Sequence, residues 1–263
     1  AAGGGNKDRK RVISMRGEHT IEEQVERLKQ NLGCPCTYLP PREDEESIMS
    51  AYQKAAERGK REGFTPLLLV LDQWGNPTFD DLEAFQREMA AAPVEDGKAL
   101  LHRFEEEARA EWGEDLSPEE LEEHFNEALD RDMSEGQEIT GFLSLKDYRG
   151  KQTQPILLAE IPATDPWEVF AYLPFGGWNE CPAPEEHRAA AKYWYEEYGA
   201  VPAVMAPDIL EYILPAPVPQ ERAMEVAMEQ YFFCTDIVDQ GVGSVGALAG
   251  GLAQSKFWYF WWD

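Results

Sequence analysis

DPWEVFAYLPFGGWNECP (residues 165–182) and FWYFWWD (residues 257–263) are the two most aromatic stretches of this sequence. Trp167, Phe170, Tyr172, Phe175 and Trp178 fall within twelve residues of the first, and Phe257 to Trp262 are consecutive in the second. Each such ring buries roughly 150–250 Å², so the two segments are expected to share one interior. Gly176-Gly177 forces an irregular turn between Phe175 and Trp178, because glycine takes backbone conformations closed to other residues. A turn of that kind beside aromatic rings is a common way to line a site. The expectation is a pocket edged by Asn179, Glu180 and Cys181.

Around these segments the chain alternates helix and strand signals. Thr20 with Glu23 has the spacing of a capping box, and Ile21, Val25 and Leu28 trace a helical stripe after a short apolar run at Val12–Met15. Cys36–Leu39 reads as a strand, and a helix follows from about Glu43 to Glu62. Pro66–Asp72, PLLLVLD, is continuously apolar up to its last residue, as a strand buried on both faces would be. A turn over Asp72–Pro77 and successive helices to about Gln137 come next, with Leu121, Phe125 and Leu129 forming a narrow stripe behind a Ser117–Glu120 box. Strands are expected at Ile139–Leu145, Ile156–Ile161 and Glu168–Tyr172. Pro184 opens a helix with His187, Ala190, Ala191 and Trp194 on one face, Pro202–Leu214 holds one or two strands, and Pro219 opens another helix. A Gly-rich segment, Gly241–Gly251, then precedes the aromatic strand.

The charge is extreme. Of 263 residues, 50 are Asp or Glu against 24 Lys or Arg, a net of −26. Residues 101–150 alone carry 16 acidic and 5 basic groups. Such a field repels phosphate backbones and anionic membranes, so neither nucleic acid nor membrane is expected as a partner, and a basic protein is. Solubility or a salty environment accounts for the same charge equally well. No apolar run approaches the roughly 20 residues that span a bilayer, no leader pattern opens the sequence, and the AAGGGN start is set aside as a flexible leader. A reducing cytoplasm is the expected compartment.

Several patterns carry possible chemistry. Gly241-Val-Gly-Ser-Val-Gly246 has dinucleotide-loop spacing, but a helix precedes it where a strand is required, so it reads as the start of a helix. Asp130, Asp132 and Ser134 match the first positions of a calcium loop, yet Gly136 comes one residue late and Gly141 stands where a bidentate Glu is needed. No metal or cofactor site is expected. Cys34 and Cys36, separated by Pro35, lack redox or zinc spacing. Cys181, Cys234 and Asp236 can meet near Glu180, with His187 on the following helix. A thiol nucleophile would need that base, while Cys234 and His187 also fall on core-facing stripes where they simply pack. Likewise Asn179 and Glu180 either line the pocket or cap a turn and face solvent. The candidate set is Gly176, Gly177, Trp178, Asn179, Glu180, Cys181, Cys234 and Asp236.

FGGWNECPAPEEH at 175–187, the W-x-x-x-YGA pattern at Trp194–Ala200, EQYFFCTDIVDQGVG at 229–243 and WYFWWD at the end occur in an order that resembles the bacterial domain-of-unknown-function 4253 family, over roughly residues 155–263. REGFTPLLLVLD at 61–72 is similar to what precedes that domain in longer members. The resemblance implies a soluble bacterial α+β protein and supplies no activity, cofactor or catalytic residue. The expected fold is α+β, a mixed β-sheet flanked by helices. Three parts are expected: an N-terminal α/β half (1–103), an acidic helical insertion (104–138) and a C-terminal α+β domain (139–263). The expected role is binding, such as an immunity-type protein that neutralises a basic partner; the alternative is an enzyme acting on a small molecule beside Trp178, Asn179, Glu180 and Cys181.

Overall fold

The computed structural model describes residues 21–71, 81–120, 122–123, 129–147 and 149–263. The strand expected at Val12–Met15, the Thr20 cap, the turn over 72–77, and Leu121 and Phe125 of the acidic stripe lie outside these residues.

Six strands form one mixed sheet: β1 (Cys36–Leu39), β2 (Thr65–Val70), β3 (Ile156–Ile161), β4 (Val201–Met205), β5 (Ile209–Ile213) and β6 (Phe257–Trp261). Their order across the sheet is β1-β3-β2-β4-β5-β6. β2 pairs antiparallel with β3 and parallel with β4, and the remaining pairs are antiparallel. Its apolar run is explained by this place: every residue of β2 is buried, since both faces of a central strand are covered.

Helices α1 (Ile21–Leu32), α2 (Glu46–Glu62), α3 (Leu82–Ala91), α4 (Gly97–Asp115), α5 (the single turn Val169–Tyr172), α6 (Pro184–Tyr198), α7 (Gln220–Phe233) and α8 (Val245–Leu252) pack on the two faces. On one face α2 presents Ile48, Tyr52 and Ala55 to Leu68, Val70 and Leu158. The other face carries the larger core, where Trp194 and Tyr231 of α6 and α7 join Tyr212, Trp258 and Phe260 of the strands. Trp194 stacks on Phe260 with ring centres 5.5 Å apart, at an interplanar angle of 15°. α4 runs unbroken through residues 103 and 104, buries Leu100 and Leu101, and lays Phe104 and Trp112 against Phe233 and Phe232 of α7.

Two expected strands take other forms. Ile139–Leu145 is irregular because side chains, not a neighbouring strand, accept its N–H groups: Ile139 donates to Ser255 Oγ (2.8 Å), and Leu143 and Ser144 donate to the Glu211 carboxylate (2.8 and 3.0 Å). Glu168–Tyr172 is helical, since Pro166 at the first helical position favours a helical turn and Glu168 N–H closes onto Asp165 O (3.0 Å).

Candidate functional site

The two aromatic segments meet. Trp262 packs against Phe175 (5.9 Å between ring centres) and His187 (5.4 Å). The His187 ring is closed in by Phe170, stacked at 5.2 Å, and by Phe175 and Phe233 at 5.0 and 5.1 Å. The bend seals this cluster: Gly176 has φ +93°, and a β-carbon there would stand 1.9 Å from Pro182 O and 2.8 Å from the imidazole. Only glycine permits that approach. Gly177 N–H then donates to Pro182 O (2.9 Å).

Of the eight candidate residues, two, Asn179 and Asp236, bond to Asp263. Asn179, itself at φ +47°, donates from Nδ2 to Asp263 O (2.8 Å), while Asp263 N–H donates to Asp236 Oδ2 (2.9 Å). Asn179 and Glu180 are exposed, Trp178 is half-buried, and Phe175 and Trp178 meet edge to face at 6.3 Å. The Cys234 thiol donates to Trp261 O (3.0 Å).

Cys181 Sγ lies 3.4 Å from His187 Nε2, within reach of a nucleophile and its base. Their protonation opposes that chemistry. Burial pushes the Cys181 thiol well above the usual range, with the Cys234 sulfur adding to the effect, and burial likewise raises Cys234 to about 12. His187, fully enclosed, is pushed down to about 3. A reactive pair needs thiolate and imidazolium, and here desolvation favours the neutral form of each.

A cleft of about 720 Å³ opens along β6, between α8, a π-helical stretch at Ile237–Val242, and the irregular segment 137–143. Among the eight candidates it takes in Asp236 alone. Its walls carry Phe257, Trp258, Tyr259 and Trp261, with Glu45, Glu135, Glu138 and Asp236 as acids. Lys146, the basic residue of this lining, stands 3.5 Å from Glu45. Behind one wall lies Glu211, wholly buried on β5, whose carboxylate accepts from Leu143 N, Ser144 N and Ser144 Oγ. Burial raises its pKa, and the Ser144 and Leu143 hydrogen bonds act in the opposite direction.

Glu211, Gln230 and Tyr259 are not among the eight candidates. Glu211 had a signal, a lone acid in the apolar strand ILEYI; the cleft itself had none, because its walls come from segments far apart in the chain.

The calcium-like loop and the glycine motif turn out to serve each other. Asp130 O accepts from Gly246 N (2.7 Å), and Asp132 accepts from Ser134 N (2.9 Å). A β-carbon on Gly250 would sit 2.2 Å from Met133 O, and one on Gly246 would sit 2.5 Å from Asp132 O. The glycines thus let α8 lie directly on the backbone of residues 130–137, and Ser244 caps the helix by accepting from Ala247 N (3.1 Å). Among the described residues no group of three or more His, Cys, Asp or Glu is placed to hold a metal ion. No helix among them is long and apolar enough to cross a membrane.

Residues 157–263, from β3 onward, match the model of a family described as Domain of unknown function (DUF4253). The resemblance carried by the FGGWNEC, YGA and WYFWWD motifs is thereby shown for the C-terminal part of the chain. No curated protein and no solved structure matches.

Proposed function

We propose that this is a binding protein of the immunity type, which captures and neutralises a basic protein partner. The observation that carries the reading is the excess of 50 carboxylates over 24 cationic side chains, repeated locally in the acidic lining of the β6 cleft. Complementary fields raise association rates from about 10⁵–10⁶ to about 10⁸–10⁹ M⁻¹s⁻¹ at low salt. They are screened beyond roughly 10 Å at 0.1 M ionic strength. Turnover of a small molecule beside Trp178 is less favoured, because Cys181 and His187 are held in unreactive protonation states.

The test is kinetic. A panel of basic and acidic proteins is passed over the immobilised chain at 0.05 and 0.5 M salt. Basic proteins should bind, with an on-rate that falls at least about tenfold at the higher salt. Absence of any basic binder, or capture indifferent to salt, removes the reading.

A further inference from the structure

β6 is one of the two outer strands of the sheet, β1 being the other, and its register with β5 decides which of its peptide groups look outward. Trp262 N–H donates to Asp208 O (3.1 Å) and Leu214 N–H to Lys256 O (2.8 Å). In an antiparallel ladder bonded pairs alternate, so residues 256, 258, 260 and 262 turn toward β5, and Phe257, Tyr259 and Trp261 turn away. Trp261 O takes the Cys234 thiol. The outward N–H groups of all three residues, and the carbonyls of Phe257 and Tyr259, meet no partner among the described residues.

Edge strands are ordinarily blunted by a charge, a proline or a bulge. The sequence FWYFW has no charge or proline, and its pairing with β5 runs without a register shift. Its edge opens instead into the 720 Å³ cleft. Leu143 and Val242, the large apolar residues most exposed among those described (53 and 51%), both stand on the walls of this same cleft. Gln230 and Trp258 also line it; each is 1% exposed, and Gln230 Nε2 and Trp258 Nε1 find no acceptor among the described residues. A buried donor without an acceptor is costly, and two such donors lie on residues of this lining. The acids Glu135, Glu138 and Asp236 select the charge of whatever arrives.

We propose that the cleft takes an extended polypeptide segment bearing Lys or Arg, which adds to β6 as a further strand; the proposal rests on the basic-partner reading above. Peptide groups at Phe257, Tyr259 and Trp261 supply main-chain bonds, and side chains alternating along the added strand reach the acids and the apolar walls. A second copy of this chain is the wrong occupant, since pairing β6 with β6 would bring two acidic clefts together.

Tyr259→Pro tests the geometry. Proline removes an outward N–H and none of the bonds to β5, whereas Tyr259→Thr removes the ring and keeps the N–H. The probes are an alternating Lys–Val decapeptide, its Glu–Val counterpart, and poly-L-lysine, with circular dichroism to check folding. The Lys–Val peptide should bind the wild type and Tyr259→Thr, and bind Tyr259→Pro about tenfold more weakly or less. It should also slow hydrogen exchange at Phe257, Tyr259 and Trp261 in the wild type, a readout that needs no variant to fold. If both variants bind it alike, or those amides exchange unchanged in its presence, strand addition is overturned while binding of poly-L-lysine leaves the charge reading standing. Failure of both cationic probes at low salt overturns the two together. Equal binding of the Glu–Val peptide overturns the charge selection, and a dimer that dissociates only in Tyr259→Pro replaces the basic segment with a second copy.

Discussion

Asn179 Nδ2 and Asp263 O lie 2.8 Å apart across 84 positions of sequence, and this bond pins the Gly176-Gly177 bend to the end of β6. The aromatic interior beneath it contributes far more than the bond. Trp262 is 2% exposed and touches Phe175, His187, Phe233 and Phe260. Trp262→Ala should therefore cost about 3–5 kcal/mol in urea denaturation, against about 1 kcal/mol for Asn179→Ala. Equal losses would mean that the bond, not the packing, joins the two segments.

Thiol reactivity should follow burial. Cys34 and Cys36 are half-buried with sulfurs 3.9 Å apart; hydrogen bonding between them holds the Cys34 thiol lower and the Cys36 thiol higher. Cys181 and Cys234 are buried and raised. Iodoacetamide should label Cys34 first in native protein and reach Cys181 and Cys234 only on unfolding, as mass spectrometry of the digest would record. Rapid native labelling of Cys181 would restore it as a candidate nucleophile.

Glu211 should leave a pH signature. Its folded pKa is raised above the ordinary 4.5, so the proton binds the folded state more tightly than the unfolded one. The stability this group adds is full below pH 4.5 and is lost as pH rises through the folded value. The difference in unfolding free energy between wild type and Glu211→Gln should thus shift across that window, with the wild type relatively more stable at its acid end. Glu211→Ala should lose about 1–3 kcal/mol for each N–H of Leu143 and Ser144 left without an acceptor.

Gly250→Ala should part α8 from residues 130–137, since the new methyl would meet Met133 O at 2.2 Å. A loss of about 1–3 kcal/mol is expected for such overpacking. Thermal denaturation gives the measurement; an unchanged midpoint would show that the loop yields freely.

The matched segment, residues 157–263, should not fold alone. In the sheet β2 stands between β3 and β4, so removing residues before 157 leaves β3 with no neighbouring strand. The isolated fragment should lack a cooperative urea transition that the whole chain shows. A cooperative fragment would mean that β3 re-pairs with β4 once β2 is gone.

Local chemistry along the chain was sufficient for much of this. The apolar run at 66–71, the helix openings at Pro184 and Pro219, the glycine bend and the shared aromatic interior follow from side-chain size, backbone freedom and periodicity, all of which act over a few residues. Long-range pairing was not legible. Ile139–Leu145 has the composition of a strand, yet its fate depends on Glu211 and Ser255, some 67 to 116 positions away, which take its N–H groups. The cleft is of the same kind: only the order of strands leaves β6 at the edge, and only its register with β5 turns Phe257, Tyr259 and Trp261 outward. Which side chains a sequence can bury is set by their own chemistry; which backbone groups stay free is decided by neighbours that meet only when the chain has folded.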